Sequence, residues 1–273
     1  MKYGFVFPYG DARTTANMAR AAEQAGWDAF FVWEPVWGID AWIQLAAAAM
    51  VTTKIKLGTM ISPVSRMRPW KLASETATLD NLSHGRVILS VGLGAIDTGF
   101  IQFGEETDRK KRAELLDEGL DIITGLWRGQ PFTYEGKHYH IKKCDFLPPP
   151  PPVQKPRIPI WVVGAWKREK SMARVLRYDG LLPDKMTDSG EHVKPTPDDI
   201  RAMKKYVAEN RTATTPFDII VEGTTPGDNR TQAASILRPF AEAGATWWNE
   251  AMWDAMDKSD LVRTRIQQGP PSP

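Results

Sequence analysis

Short apolar runs and longer amphipathic stretches take turns along the chain, and this alternation is the most regular property of the sequence. Runs of strand character lie at 3–8, 29–33, 55–61, 87–91, 158–163, 180–182, 217–222 and 246–250. Stretches with helical spacing lie near 14–25, 40–51, 69–83, 108–128, 169–177, 197–210, 231–243 and 256–267. Several open on Thr, Asp or Pro and close on Gly or Asn, the residues that begin and end helices. Strands that alternate with helices pair in parallel, because parallel neighbours need a crossover connection. Eight such units in 273 residues predict an α/β fold closed as a (β/α)8 TIM barrel, which typically takes about 250 residues. The expectation is one domain over 1–273. A doubly wound open sheet is the alternative the pattern leaves standing.

Within that alternation the fourth helix is the clearest amphipath, with Leu116, Leu120, Ile123 and Trp127 in one stripe and Arg109 to Arg112 on a solvated face. After it comes an excursion. Residues 131–141 alternate as a small hairpin does, and the proline run 148–152 leads as extended polyproline into the fifth strand. His138 and His140 stand at a strand spacing able to hold a metal, but no Cys, His or carboxylate cluster accompanies them. They precede a strand, which puts them with His84 on the barrel face away from the chemistry, and no metal is expected.

Residues 60–94 condense the fold into one strand–helix–strand unit. Pro69 suits the first helical turn, where its missing N–H is no loss, and Leu72, Thr76, Leu79 and Leu82 follow on one helical face. His84-Gly85 ends the helix. Residues 86–91 read as a strand covered on both faces, stopping at Gly92-Leu93-Gly94. Glycines there let backbone approach a ligand. A Gly-x-Gly also begins the dinucleotide fingerprint, but the third glycine is absent and 95–104 reads as loop.

In a TIM barrel the chemistry sits at the C-terminal strand ends, which turns the pattern into a list of candidate positions. Those ends carry Tyr9, Trp33-Glu34, Thr59 to Ser65, Gly92 to Gly94, Gly164 to Trp166, Pro183-Asp184, Glu222-Gly223 and Glu250 to Trp253. The set is aromatic, glycine-rich and sparsely charged, and suits a flat conjugated ring held in a largely apolar cleft. Trp33, Trp166 and Trp253 are the rim aromatics, although a barrel tryptophan also serves as plain core. The loop Gly164-Ala165-Trp166-Lys167-Arg168, with Ser171 behind it, opens a helix whose free N–H groups and added cations favour an anion. Arg66 and Arg68 are further cations at this face. Tyr9 and Trp253 are assigned to the substrate.

Composition narrows the classes. Lys and Arg number 35 against 33 Asp and Glu, a net charge of +2, too small to point to nucleic acid or an anionic membrane as a partner. A single cysteine, Cys144, excludes an intrachain disulfide and suits a reducing, cytoplasmic setting. The first residues, MKYGFVFPYG, do not read as a signal peptide, and no apolar run approaches the roughly 20 residues of a membrane span.

The segment Pro63 to Asp80, with its Arg-x-Arg-Pro-Trp-Lys-Leu-Ala core, and the Val-Gly-Leu-Gly strand end resemble the bacterial luciferase-like family of flavin- or deazaflavin-dependent oxidoreductases. Phe103-Gly104-Glu105, Leu116 to Leu120, Tyr134 to Tyr139, Pro156 to Val163, Asp179-Gly180 and Gly244 to Trp248 extend the similarity over nearly the whole chain. The resemblance implies reduced FMN or reduced coenzyme F420 at the C-terminal face. It implies monooxygenation of a small organic substrate with FMN, or hydride transfer with F420, and a homodimer. It places the cofactor against Gly92 and Gly94 and its phosphate near Gly164, Lys167 and Arg168. It also implies a non-prolyl cis peptide at Met60-Ile61, within a cofactor-backing segment Thr59, Met60, Ile61, Ser62. Relatives commonly carry His after the acidic residue at position 34; this chain has Pro35, so Glu34 is the catalytic acid expected, with Glu222 and Glu250 in reserve. His192 falls in a polar loop. Two other classes stay open, a cofactor-binding protein that has lost its chemistry, motivated by Pro35, and a barrel hydrolase.

Overall fold

Each apolar run becomes a parallel strand, and the strands close on themselves. The computed structural model describes residues 1–145, 149–187 and 189–271. The barrel strands are β1 (Lys2–Phe7), β2 (Ala29–Val32), β3 (Lys56–Thr59), β4 (Val87–Gly92), β5 (Ile160–Ala165), β6 (Gly180–Met186), β7 (Asp218–Gly223) and β8 (Trp247–Ala251). Neighbours in sequence pair in parallel from β1 round to β8, and β8 returns to β1 with Lys2 opposite Trp247, closing the barrel. The open doubly wound sheet is thereby excluded. The outer ring is α1 (Ala12–Gln24), α2 (Ala41–Ala49), α3 (Pro69–Leu82), α4 (Arg109–Arg128), α5 (Glu169–Leu176), α6 (Pro197–Asn210), α7 (Arg230–Ala243) and α8 (Ser259–Gln267).

Strand alternation sorts the apolar residues into two separate cores. Phe5, Phe30, Leu57, Leu89, Val162 and Leu181 pack outward against the helices, while Val6, Phe31, Trp161, Leu182, Ile220 and Trp247 fill the barrel. Two of the large rings inside, Phe31 and Trp161, fit because glycines stand opposite them. A Cβ on Gly58 would lie 3.0 Å from Phe31, one on Gly180 2.4 Å from Trp161, and one on Gly4 2.8 Å from Phe31. Phe31, Trp161 and Trp247 then touch edge to face or tilted, with centroids 5.6 and 5.1 Å apart, the offset geometry that aromatic quadrupoles favour.

Helix starts follow the sequence signals. Asp11, Asp40 and Asp108 cap α1, α2 and α4, and Thr196 with Asp199 forms a capping box on α6. Pro69 opens α3.

Four boundaries depart from expectation. β5 begins at Ile160, because Pro159 offers only its carbonyl, taken by the Leu89 N–H at 3.0 Å. At its other end it pairs on through Gly164 and Ala165, opposite Pro183 and Asp184, so these are strand residues rather than loop. β6 does not stop at Leu182. Pro183 pairs opposite Gly164 and Asp184 opposite Ala165, and the strand runs on to Met186 with His192–Val193 returning antiparallel beside it. β3 ends at Thr59, and after the break Ser62–Pro63 pairs with β4. Finally α8 starts at Ser259, behind a 3-10 turn at Trp253–Ala255.

The excursion after α4 is a hairpin of Phe132–Glu135 and His140–Cys144. Phe132 lies over Gly125, and Glu118 accepts the backbone N–H groups of Lys137, His138 and Tyr139 at 2.9, 3.0 and 3.0 Å. The hairpin thus runs along α4 on the barrel's flank, not on its N-terminal face, and His138 and His140 bond Glu114 and Glu135. Of the polyproline stretch, Pro148 lies outside the described residues, and 149–152 has no regular structure. Among the described residues no helix is long and apolar enough to cross a membrane.

Candidate active site

A cleft of about 420 Å³ opens where β3, β5, β6 and β7 end, inside the roughly 300–1,000 Å³ range of small-molecule pockets. Its floor and walls are Met60 and Ile61 after β3, Val163 of β5, Leu182 and Pro183 of β6, and Ile220 and Val221 of β7. The Met60–Ile61 peptide is cis, at the place the resemblance implies. Met60 turns inward, its sulfur 3.6 Å from the amide nitrogen of buried Asn249. Ile61 occupies the space a Cβ on Gly92 would need, 2.5 Å away, with Val163 at 2.9 Å. Gly94 has φ +78° and its open side is met by Pro63 and Phe100. Both glycines shape the bulge by letting side chains close on the strand end.

Behind the bulge runs a chain of hydrogen bonds. Thr59 Oγ1 lies 2.9 Å from Ser62 Oγ, and Ser62 Oγ donates to Glu34 Oε2 at 2.7 Å. Arg66 donates to the carbonyls of Pro35 and Glu34 at 2.7 and 3.2 Å and stands 3.9 Å from Glu34 Oε1. The Glu34 side chain keeps only 10% of its exposure. Loss of water dominates, and it pushes the carboxyl up to about 7 against the Ser62 bond and the Arg66 charge, which favour the anion.

The opposite wall carries the polar groups that reach the cleft itself. Glu222 lines it at the end of β7, together with His192 and Lys194. Trp253 Nε1 donates to Glu222 Oε1 at 2.7 Å. Glu222 is exposed at the edge of the cleft; the atoms around it push its pKa up, opposed by that hydrogen bond and by Lys194. His192 Nδ1 is 2.6 Å from Asp184 Oδ1. His192 and Lys194 are the site residues that sequence reasoning missed. The signal was faint, since only the return strand 192–193, two residues long, brings this polar stretch over the cleft.

One cleft-lining strand, β5, also leads to a cationic helix start. Lys167, in the left-handed region at φ 65°, and Arg168 are exposed, and Arg168 begins α5 without a side-chain cap. Its first-turn N–H groups therefore face outward beside two cations. The Ala165 N–H is already taken by Ser171 Oγ at 2.9 Å, and the Trp166 N–H by the Asp184 carbonyl at 2.7 Å. An apolar cleft with few polar groups, continuous through one strand with an uncapped, cationic helix start, fits a ring cofactor with a phosphate-bearing tail.

The remaining sequence candidates lie elsewhere. Trp33 donates to the Pro8 carbonyl at 2.6 Å and, with Tyr9, Pro35 and Trp37, lines a second, smaller hollow between the β1 and β2 ends. Trp166 packs edge-on against Tyr206 of α6. Arg68 lies over the Trp70 ring. Glu250 is buried on the helix-facing side of β8. It accepts from Thr225 N and Oγ1 at 2.7 Å each and pairs with Arg265 at 3.4 Å, so as a reserve acid it is withdrawn from the cleft.

Residues 4–268 match the profile of the family described as luciferase-like monooxygenase. An F420-dependent glucose-6-phosphate dehydrogenase of Nakamurella multipartita is 31% identical over 147 residues, which is 50% of this chain and 42% of that one. Among solved structures, the coenzyme F420-dependent tetrahydromethanopterin reductase of Methanopyrus kandleri superposes with a TM-score of 0.78 at 18% identity, covering 98% of both chains. The FMN-bound oxygenating constituent of 3,6-diketocamphane monooxygenase from Pseudomonas putida superposes at 0.75 and 17% identity, covering 98% and 96%.

Proposed function

The chain belongs to the luciferase-like monooxygenase family, and on that premise we propose that it is an oxidoreductase that holds coenzyme F420 across the C-terminal strand ends and acts on a small, largely apolar organic substrate. The observation that carries this reading is the apolar cleft over Met60 and Ile61, whose wall residue Val163 belongs to the strand that leads into the uncapped start of α5. When bound, the deazaflavin supplies or accepts hydride. Lys167, Arg168 and the first turn of α5 hold its phosphate, and Met60, Ile61 and Val163 back its ring. Glu34 holds a proton near neutral pH and, through Ser62, fixes the segment on which the ring rests.

F420 is preferred to FMN because the relative at 31% identity is F420-dependent. A site stripped of chemistry is disfavoured. Although Pro35 removes the usual histidine, two carboxyls with raised pKa values remain at the strand ends. Cys144 as the lone cysteine supports work in the cytoplasm, and the family resemblance supports a homodimer of single-domain chains.

Titration of tryptophan fluorescence with F420 and, separately, with FMN tests the reading. Saturable quenching by F420, weakened about tenfold or more in Lys167→Ala/Arg168→Ala, is the expected result. Quenching by FMN alone would move the chemistry to monooxygenation, and quenching by neither would remove the cofactor reading.

A further inference from the structure

We propose that the hollow between the ends of β1 and β2 is the seat of one flat apolar ring, aromatic or alicyclic, at one end of the substrate. The inference rests on the oxidoreductase reading above and names the class of substrate; the seating of the ring itself needs no cofactor.

Aromatic side chains from both strand ends enclose the hollow. Phe7 lies buried at the end of β1 with Tyr9 after it, and Trp33 and Trp37 follow β2. Trp33 is held in place, because its indole N–H donates to the Pro8 carbonyl at 2.6 Å across the seam between the two strands. Gly10 lets the chain that carries Tyr9 lie down on Phe7, whose ring atoms would stand 2.7 and 2.8 Å from a Cβ there. Tyr9 and Trp37 remain 59% and 80% exposed at the rim. Large aromatic rings in that position offer contact area to a ligand at little entropic cost, and they favour another ring, offset or edge to face.

The polar groups of the hollow are already spent. Its one side-chain amide, Gln44, accepts from Thr15 at 2.6 Å and donates to the Ile39 carbonyl at 3.3 Å. The Trp33 N–H is taken as well. Among the described residues no Asp, Glu, Lys, Arg or His lines the hollow. A ligand group that brought its own donor or acceptor inside would lose water and gain no partner, so the part that enters is hydrocarbon. The neighbouring cleft differs, since Glu222, His192 and Lys194 stand at its edge.

Size decides between a whole ligand and a part of one. The hollow measures about 110 Å³, well below the roughly 300 Å³ at which pockets for entire small molecules begin. An apolar cavity of about 150 Å³ takes one benzene, so this one, open on its outer side, seats a single ring. The rest of the molecule has the cleft beside it. Val32, which lines the hollow, accepts the N–H of Met60, which lines the cleft, at 2.7 Å. The two spaces are therefore one strand spacing apart at that point, about 4.8 Å. Such a pair suits a substrate with a ring at one end and its reacting group at the other.

The test follows the Trp33 and Trp37 indole N–H signals by NMR in the full chain without cofactor, titrated with anisole and with pentyl methyl ether, an open-chain ether of similar hydrophobicity. The expected result is a saturable shift of both signals by anisole and an affinity for the open-chain ether lower by about fivefold or more. Trp37→Ala and Tyr9→Ala, whose side chains stand in solvent, should leave melting unchanged and weaken anisole by about 3- to 10-fold. Pro35→His, which puts a polar ring into the wall, should weaken it as well. A probe with a chain, 3-phenylpropionamide, should also shift the Met60 and Val163 methyl signals of the cleft, which anisole should not. Shifts that never saturate, or that all the tryptophans share alike, overturn the proposal, as do equal affinities for the two ethers. Tetramethylammonium bound in preference to anisole would make the hollow a cation site instead, and a 3-phenylpropionamide that leaves Met60 and Val163 unmoved would deny that hollow and cleft serve one molecule. Saturating F420 should leave the anisole shifts in place, and displacement would make the hollow part of the cofactor cleft. A chain that binds anisole but not F420 loses the oxidoreductase reading and keeps the ring site, so the two failures are told apart.

Discussion

Glu34 and Glu222 show what a strand end does to a carboxyl. Both were named by position along the chain, but position alone does not say which way a side chain faces. Alternation along β8 puts Trp247, Asn249 and Ala251 inside and Trp248 with Glu250 outside, which is why Glu250 read as a candidate and turned out to brace Arg265. His192 was illegible for a different reason. Its place depends on a pairing of two residues with the extension of β6, which no apolar period announces. Glu34 has the sharper consequence for stability. Its carboxyl sits at about 7 in the fold against an ordinary 4.5, so the native state holds a proton that the unfolded chain releases at lower pH. Its stabilising contribution is complete below the unfolded value, falls as pH rises, and is gone above the folded value. The urea midpoint of the wild type should therefore drop between about pH 5 and pH 8, and Glu34→Gln should lose most of that dependence. The same variant should lower turnover at least tenfold, since an amide at position 34 can no longer take up or release a proton, while F420 affinity changes little. A Glu34→Gln enzyme of unchanged activity would remove Glu34 from the machinery.

At the scale of elements the apolar runs located all eight strands and the helical spacing located the helices, with side-chain caps at the starts of α1, α2, α4, α6 and α7, because strand length, helical spacing and cap chemistry are local properties. The boundaries that moved were those set by partners. β5 starts late because Pro159 has no N–H, and β6 runs on through Pro183 because its neighbour Gly164 and the return at His192 still bond its flanks. Glycines inside the barrel were the least legible, since in sequence they look like strand breakers. In the fold Gly58 is a contact. A Cβ there would fall 2.3 Å from the Ile88 carbonyl oxygen and 3.0 Å from Phe31, and backbone cannot swing aside. Gly58→Ala should cost about 1–3 kcal/mol in urea unfolding, and a neutral result would mean that β3 and β4 can part more easily than their pairing indicates. The flank hairpin offers a second element-scale check. Its tip is anchored through three backbone N–H groups on the single Glu118 carboxylate. Glu118→Ala should release amide protection at Lys137, His138 and Tyr139 in hydrogen exchange while the barrel strands keep theirs.

For the whole molecule, closure was the most legible property, because eight crossover units of one hand leave a chain of this length little choice but to join its first strand to its last. What the alternation does not reveal is which part of the outer ring meets another body. On α2 Ile43 and Met50, seven residues apart and hence on one helical face, are 63% and 70% exposed. On neighbouring α3 Trp70 and Leu82, at the two ends of the helix, are 42% and 41% exposed. Ile43 near the start of α2 and Met50 at its C-cap leave an apolar strip along that helix, whereas Trp70 of α3 turns to Tyr139 of the hairpin. Single exposed apolar residues are ordinary, but two on one face of a helix mark the kind of surface that oligomers bury. A two-fold pairing through α2 would be isologous, the strip meeting its copy. Sedimentation should then give a dimer for the wild type and a monomer for Ile43→Glu/Met50→Lys. Both substituted side chains stand in solvent in the isolated chain, so the barrel should melt as a folded protein. The cleft at the strand ends does not include α2 or α3, so F420 quenching should survive dissociation. A monomeric wild type would refute the pairing, and a dimer that withstands both charges would place its interface elsewhere on the ring.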